Sequence, residues 1–155
     1  MSLQKTERGR RSLHARVQVL AEFRFRLRQF LSFSEEAAEA IGTSAQQYQL
    51  LQVIEAAPEG VPASISYIAE RMVLRHNSAD ELVGRAERTG LVRREEDASD
   101  HRRALITLTE AGHTTLATLV AQHWVELEQS GLELRKALDR LLVESLSPRK
   151  KSETQ

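Results

Sequence analysis

Arg75, His76, Asn77, Ser78, Asp80, Glu81 and Arg85 crowd one short stretch in which Ala79, Leu82, Val83 and Ala86 recur at helical spacing. The apolar set makes the inner stripe of a helix, so the polar set is left outside. These side chains are suited to hydrogen bonding at the edges of nucleic-acid bases. Asn77 can pair with adenine, Ser78 with a base or a phosphate, Arg85 with a guanine edge or a phosphate, and a carboxylate such as Glu81 with cytosine N4. Arg75 and His76 precede the helix, where contacts to phosphate position a reader. Asp80 and Glu81 work against this reading, because carboxylates are repelled by phosphates. Asn77 and Asp80 are also residue types that bind backbone amides at a helix start; for Asn77 the two roles are compatible.

A second polar cluster follows. Gly90 supplies a left-handed residue that stops the helix, with Leu91 folding back as its apolar contact. Strands are predicted over 92–96 and 103–108, with 97–102 as a polar tip. Asp100 and Arg102 stand two apart on that hairpin and so share a side. A carboxylate there can aim the guanidinium into a narrow minor groove, while Arg103 faces phosphate or solvent. The plainer alternative is a solvated hairpin with a weak surface ion pair.

The elements that position these residues read as helices. From about Arg10 to Ile41, Leu13, Val17, Leu20, Leu27 and Leu31 form one apolar stripe that Phe23, Phe30 and Phe33 widen. A helix of roughly 30 residues is about 45 Å long, more than a small core covers, so it kinks or packs on a second chain. Ser32 and Glu35 have capping-box spacing at a candidate kink. Thr43 to Gln46 is a second such match and predicts a helix to about Ala57. Ser64 caps a short helix to Met72, and Val73-Leu74-Arg75 is the turn before the polar helix. Thr109 caps a helix to about Glu128 that carries Leu116, Leu119, Val120, His123, Trp124 and Leu127. Gly131 is expected to break it before a last helix carrying Leu134, Ala137, Leu138, Leu141 and Leu142. The tail from Pro148 is expected to be disordered.

In order, helix, helix, short helix, polar helix, Gly90-Leu91-Val92, hairpin and Leu108-Thr109-Glu110-Ala111-Gly112 resemble the MarR-type winged helix-turn-helix transcriptional regulators. The residues from Leu82 to Val92 look like that family's recognition helix and its exit, and Asp97 to Arg103 like its wing tip. The likeness covers roughly Phe23 to Leu142. Ala86 stands where a Leu is usual, and Gly84 where a polar helix former is usual. Gly84 lowers helix propensity by about 1 kcal/mol.

The resemblance implies a mainly α fold with a two-stranded β-wing, flanked by N- and C-terminal dimerisation helices. Residues 1–42 form the N-terminal dimerisation region, 43–109 the winged helix-turn-helix, 110–147 the C-terminal dimerisation helices and 148–155 the tail. It further implies a homodimer on an inverted repeat of double-stranded DNA, most often a repressor released by a small aromatic or anionic effector. The expected DNA contacts are Ser64, Ser66, Arg75, His76, Asn77, Ser78, Glu81, Arg85, Asp100, His101, Arg102 and Arg103. Phe23, Phe30, Phe33, Tyr48 and Trp124 are candidates to line an effector cavity, although an aromatic stripe at helical spacing equally describes core.

Composition sets the remaining bounds. The 155 residues suit one domain, and no run of about 18 apolar residues predicts a membrane span. The polar, basic N-terminus does not resemble a signal peptide, which makes the cytoplasm the expected location. There is no cysteine, hence no disulfide or thiolate metal site. His14, His76, His101, His113 and His123 show no pair at helical ligand spacing; only His123 with Glu126 shares a face. No nucleophile elbow, phosphate-cradling glycine loop or metalloprotease helix points to an enzyme, and no cofactor is expected. Lys plus Arg and Asp plus Glu both number 22, so no bulk field draws the chain to a polyanion. That neutrality, with the acids at Asp80, Glu81, Glu95 and Glu96, favours the alternative of a winged-helix protein–protein interaction module without DNA affinity. Any positive charge for DNA has to be concentrated locally.

Overall fold

The computed structural model describes residues 2–96 and 104–146, with side chains over 13–96 and 104–144. Its elements are α1 (Ser2–Ala40), α2 (Ala45–Glu55), α3 (Ile65–Arg71), α4 (His76–Arg88), β1 (Val92–Glu96), β2 (Ala104–Leu108) and α5 (Glu110–Leu146). The mainly helical chain with one antiparallel ribbon is the predicted fold class. Two compact units emerge, one from Ser34 to Trp124 and the other from the two outer segments, Met1–Phe33 and Val125–Gln155.

The inner unit holds the core. Tyr48, Leu50 and Leu51 of α2, Ile68 of α3, and Ala79, Leu82, Val83 and Ala86 of α4 are buried with Val92, Ile106 and Leu108 of the ribbon and Leu116 and Leu119 of α5. The stripe expected on α4 is thus the face that packs. In the ribbon Val92 pairs with Leu108 and Arg94 with Ile106. Ser64 bridges to Leu105, which joins the start of α3 to the ribbon's edge.

Three helix ends share one hydrogen-bonding pattern. After α1, Gly42 and Thr43 donate to Glu39 and Ala38; after α3, Val73 and Leu74 donate to Glu70 and Ala69; after α4, Gly90 and Leu91 donate to Glu87 and Ala86. This paired closure requires a left-handed residue in its middle. Gly42 and Gly90 supply it at φ 78° and 75°, whereas after α3 the residue is Val73 at φ 54°. A β-branched side chain there is strained by roughly 1–2 kcal/mol.

Local details depart from the sequence reading in three places. The α2 capping box is Ser44 with Gln47, one residue later than Thr43 with Gln46. The amide of Thr43 already donates to Ala38 in closing α1, so it has nothing to offer a glutamine side chain. Gly131 does not break the last helix: α5 runs unbroken to Leu146. One glycine without a left-handed turn costs about 1 kcal/mol, too little to end a helix with good formers on both sides. Helix α1 likewise continues through Ser32 and starts at Ser2, ahead of the expected boundary.

In the outer unit, Ala137 is the one described residue that is buried. Leu13, Val17, Leu20, Leu142 and Val143 all remain exposed, Val143 at 69%. Arg16 and Glu144 form an ion pair at 3.8 Å beside them. No described helix is long and apolar enough to cross a membrane.

Candidate nucleic-acid interface

The short helix α3, the turn through Val73 and the helix α4 make the helix-turn-helix. Arg75, the N-cap of α4, has extended backbone angles and no side-chain capping hydrogen bond. Asn77 therefore does not cap; it lies inside the first turn, exposed, as are His76 and Ser78. Four backbone N–H groups at such an end have no intrahelical partner, and the helix dipole favours an anion there. Glu81 and Arg85 are exposed further along, so the residues expected on the outward face are on it. Arg88 shares that face and was absent from the sequence-based set.

Asp80 is resolved differently. Its Oδ1 accepts from Nη1 of Arg94 at 2.9 Å, and Nε of Arg94 lies 3.3 Å from Oε2 of Glu87. The awkward carboxylate is thus held in an ion pair across from β1, and it neither caps the helix nor stands alone. Arg94 is the second residue the sequence reading missed. A signal for it exists, because strand residues two apart share a face and Val92 is a buried neighbour of this kind.

Gly84 lies between the arginines. A Cβ on it would stand 3.7 Å from Nη1 of Arg88 and 3.9 Å from Nη2 of Arg94, ordinary contact distances. It is helical, and its lack of a side chain leaves room for the two guanidinium groups beside it.

Ser64 requires a correction. It is 7% exposed, and its hydroxyl oxygen accepts from the amide of Tyr67 as the N-cap of α3. It starts the helix and is not presented to a groove, whereas Ser66 is exposed. Asp100, His101, Arg102 and Arg103 lie outside the described residues.

The exit of α4 is held from two sides. Thr89 Oγ1 contacts the carbonyls of Arg85 and Ala86 and accepts from Nε2 of Gln47 at 3.2 Å. Thr109 donates through its amide to Leu91 at 3.1 Å and through its hydroxyl to the carbonyl of Gly90, while its Oγ1 accepts from the amide of Gly112. The Leu-Thr-x-x-Gly sequence is therefore the joint between the exit of α4 and α5.

The aromatic candidates divide. Tyr48 is core, 2% exposed, with its ring 4.7 Å from that of His123; burial raises its phenol pKa above the ordinary 10.0. Trp124 is 64% exposed. Phe23, Phe30 and Phe33 are half-buried in the outer unit, and Phe30 lines a cleft of about 260 Å³ with Arg26, Ser130 and Leu134. His123 is buried, with Nδ1 2.7 Å from the Leu119 carbonyl and Nε2 2.9 Å from Ser34 Oγ. Because a carbonyl only accepts, Nδ1 carries the proton, and in the neutral ring Nε2 accepts from Ser34. Among the described residues no group of His, Asp and Glu is placed to hold a metal ion.

Residues 41–103 match the MarR family. No curated protein matches the chain. Among solved structures it is similar to MepR of Staphylococcus aureus in complex with DNA, at 23% identity and a TM-score of 0.63 over 81% of this chain and 93% of that one. AbsC of Streptomyces coelicolor, a MarR family transcriptional regulator, is similar at 24% identity and a TM-score of 0.64, over 79% and 83%. A mutant of Escherichia coli MarR complexed with operator DNA is similar at 18% identity and a TM-score of 0.61, over 81% and 90%. Over the matched stretch the chain is thus similar to the MarR family, and its fold is that of these solved winged-helix structures.

Proposed function

We propose that the protein is a sequence-specific DNA-binding transcriptional regulator that works as a homodimer on a short inverted repeat. The observation that carries this reading is the outward face of α4. Its apolar stripe is used up in the core, leaving Asn77, Ser78, Glu81, Arg85 and Arg88 exposed beyond an N-terminus with no side-chain cap. One such face per subunit enters a major groove, with half-sites about 10 base pairs apart. Arg102 at the wing tip takes the flanking minor groove, with Asp100 orienting it. Two of the similar structures are complexes with DNA, which supports the same use here.

Homodimerisation is supported by Leu13, Val17, Leu20, Leu142 and Val143, whose exposure in a single chain leaves apolar surface that a second copy can bury. Repression relieved by a small effector completes the reading. The cleft beside Phe30 offers an aromatic wall, and because Glu126 and Glu133 also line it while Arg26 is paired with Glu22, it suits an aromatic molecule better than an anionic one. The protein–protein alternative drew on the acids of α4, and the pairing of Asp80 with Arg94 weakens its ground.

Fluorescence anisotropy with duplexes from the region around its own gene tests the reading. Affinity should fall with salt on a log–log slope steeper than about −4 as several phosphates release counterions. Arg102→Ala and Arg85→Ala should each weaken binding. Salt-insensitive association with a protein, with no affinity for any duplex, would remove the DNA reading.

A further inference from the structure

Arg94 bridges two acids two helical turns apart. Nη1 meets Asp80 Oδ1 at 2.9 Å, Nη2 meets the Asp80 carbonyl at 3.4 Å, and Nε lies 3.3 Å from Glu87 Oε2. Its backbone N–H also donates to Glu87 Oε1 at 3.3 Å. Asp80, Gly84 and Glu87 have the i, i+4, i+7 spacing of one helix edge, and the guanidinium lies beside the side-chain-free position of Gly84. A side chain of a strand thus covers the acidic edge of the helix proposed to enter DNA.

Fold stability does not account for the arrangement. All three side chains are at least a third exposed, 34% for Arg94, 50% for Asp80 and 42% for Glu87, and exposed ion pairs contribute little to folding. Their effect on binding is larger. A duplex carries one negative charge per about 1.7 Å, and the Debye length at physiological salt is about 8 Å. Two bare carboxylates on a groove-facing helix would stand inside that range, whereas with Arg94 between them the trio keeps one net negative charge.

We infer that Arg94 is a charge-masking positioning residue: it lets a recognition helix bearing Asp80 and Glu87 approach a nucleic-acid duplex. The inference rests on the DNA-binding reading above. It predicts an order of affinities that follows the net charge of the trio, whatever the base sequence.

Anisotropy with a labelled mixed-sequence duplex, over a salt series, tests it on the full-length protein. Arg94→Gln should weaken binding about tenfold at low salt, with the deficit shrinking as salt rises, and Arg94→Lys should stay within about twofold of wild type. Asp80→Asn with Glu87→Gln, keeping the arginine, should bind more tightly than wild type. The triple variant, with all three changes to amides, should return to wild-type affinity or exceed it. A strut or a direct phosphate contact would leave the triple variant as weak as Arg94→Gln, and that result would overturn the inference. Wild type that binds duplexes with Arg94→Gln unchanged overturns this inference alone; wild type that binds none overturns the DNA reading with it. If Arg94→Gln does not fold, the Asp80→Asn/Glu87→Gln protein decides, because affinity no higher than wild type excludes masking.

Discussion

A Cβ built on Gly112 would stand 2.1 Å from the carbonyl oxygen of Leu91. At this point the first turn of α5 meets the segment that follows α4 backbone to backbone. The same carbonyl accepts the amide of Thr109, so neither side can withdraw without breaking the N-terminal junction of α5. Gly112→Ala should therefore destabilise the fold by roughly 3 kcal/mol, the upper part of the range for forced overpacking. Chemical denaturation measures it, and a loss below about 1 kcal/mol would mean that the joint yields.

Val73 offers the opposite case. Its left-handed backbone and full exposure mean that nothing but the turn geometry constrains it. Val73→Gly should stabilise the protein by about 1 kcal/mol, as relief of side-chain strain exceeds the extra backbone entropy of glycine. A lowered melting temperature would show that the valine makes a compensating contact.

Gly84→Ala tests α4 itself. The added methyl meets only the ends of two arginine side chains at ordinary distance, so helix propensity should raise stability by about 1 kcal/mol. Thermal unfolding reads the gain. The same variant, probed with DNA, reports whether the duplex needs the bare backbone at this point.

Ser34→Ala removes the hydroxyl that meets the buried His123 ring. The loss should be about 1 kcal/mol, visible as a shift in the denaturation midpoint with an unchanged slope. A neutral outcome would place the ring's main support elsewhere.

The raised phenol pKa of Tyr48 gives a pH dependence with a definite sign. The folded state holds this proton more tightly than the unfolded chain, so the contribution is complete below pH 10.0 and is lost as pH rises beyond it. Tyr48→Phe should flatten that alkaline decline relative to wild type. Parallel curves for the two proteins would refute the assignment.

Much of the winged helix was legible because its signals are local. The spacing of Ala79, Leu82, Val83 and Ala86 gave the buried side of α4, and Gly90 gave its stop. For Arg94 only the face was legible, from its spacing to Val92, and not its partners, because a charge in a short strand ordinarily reads as solvent-facing. Its partners are 14 and 7 residues away, and only the ribbon's packing brings them together. The α2 cap was misplaced by one residue because two adjacent hydroxyls fit the same pattern. Which one is used depends on an amide already claimed by the preceding helix. Gly131 misled because a glycine ends a helix only when the backbone turns left-handed, which composition does not reveal.

Gln47 joins the beginning of one helix to the finish of another. Its side chain closes the α2 capping box at Ser44 and reaches Thr89, whose oxygen contacts the last carbonyls of α4, while the neighbouring Thr43 is tied back to Ala38. The corner where α1 gives way to α2 is therefore wired, bond by bond, to the trailing end of the helix proposed to read DNA. Breaking the wire with Gln47→Ala should let the amide hydrogens of Gly90 and Leu91 exchange faster while that of Thr43, bonded to Ala38, keeps its rate.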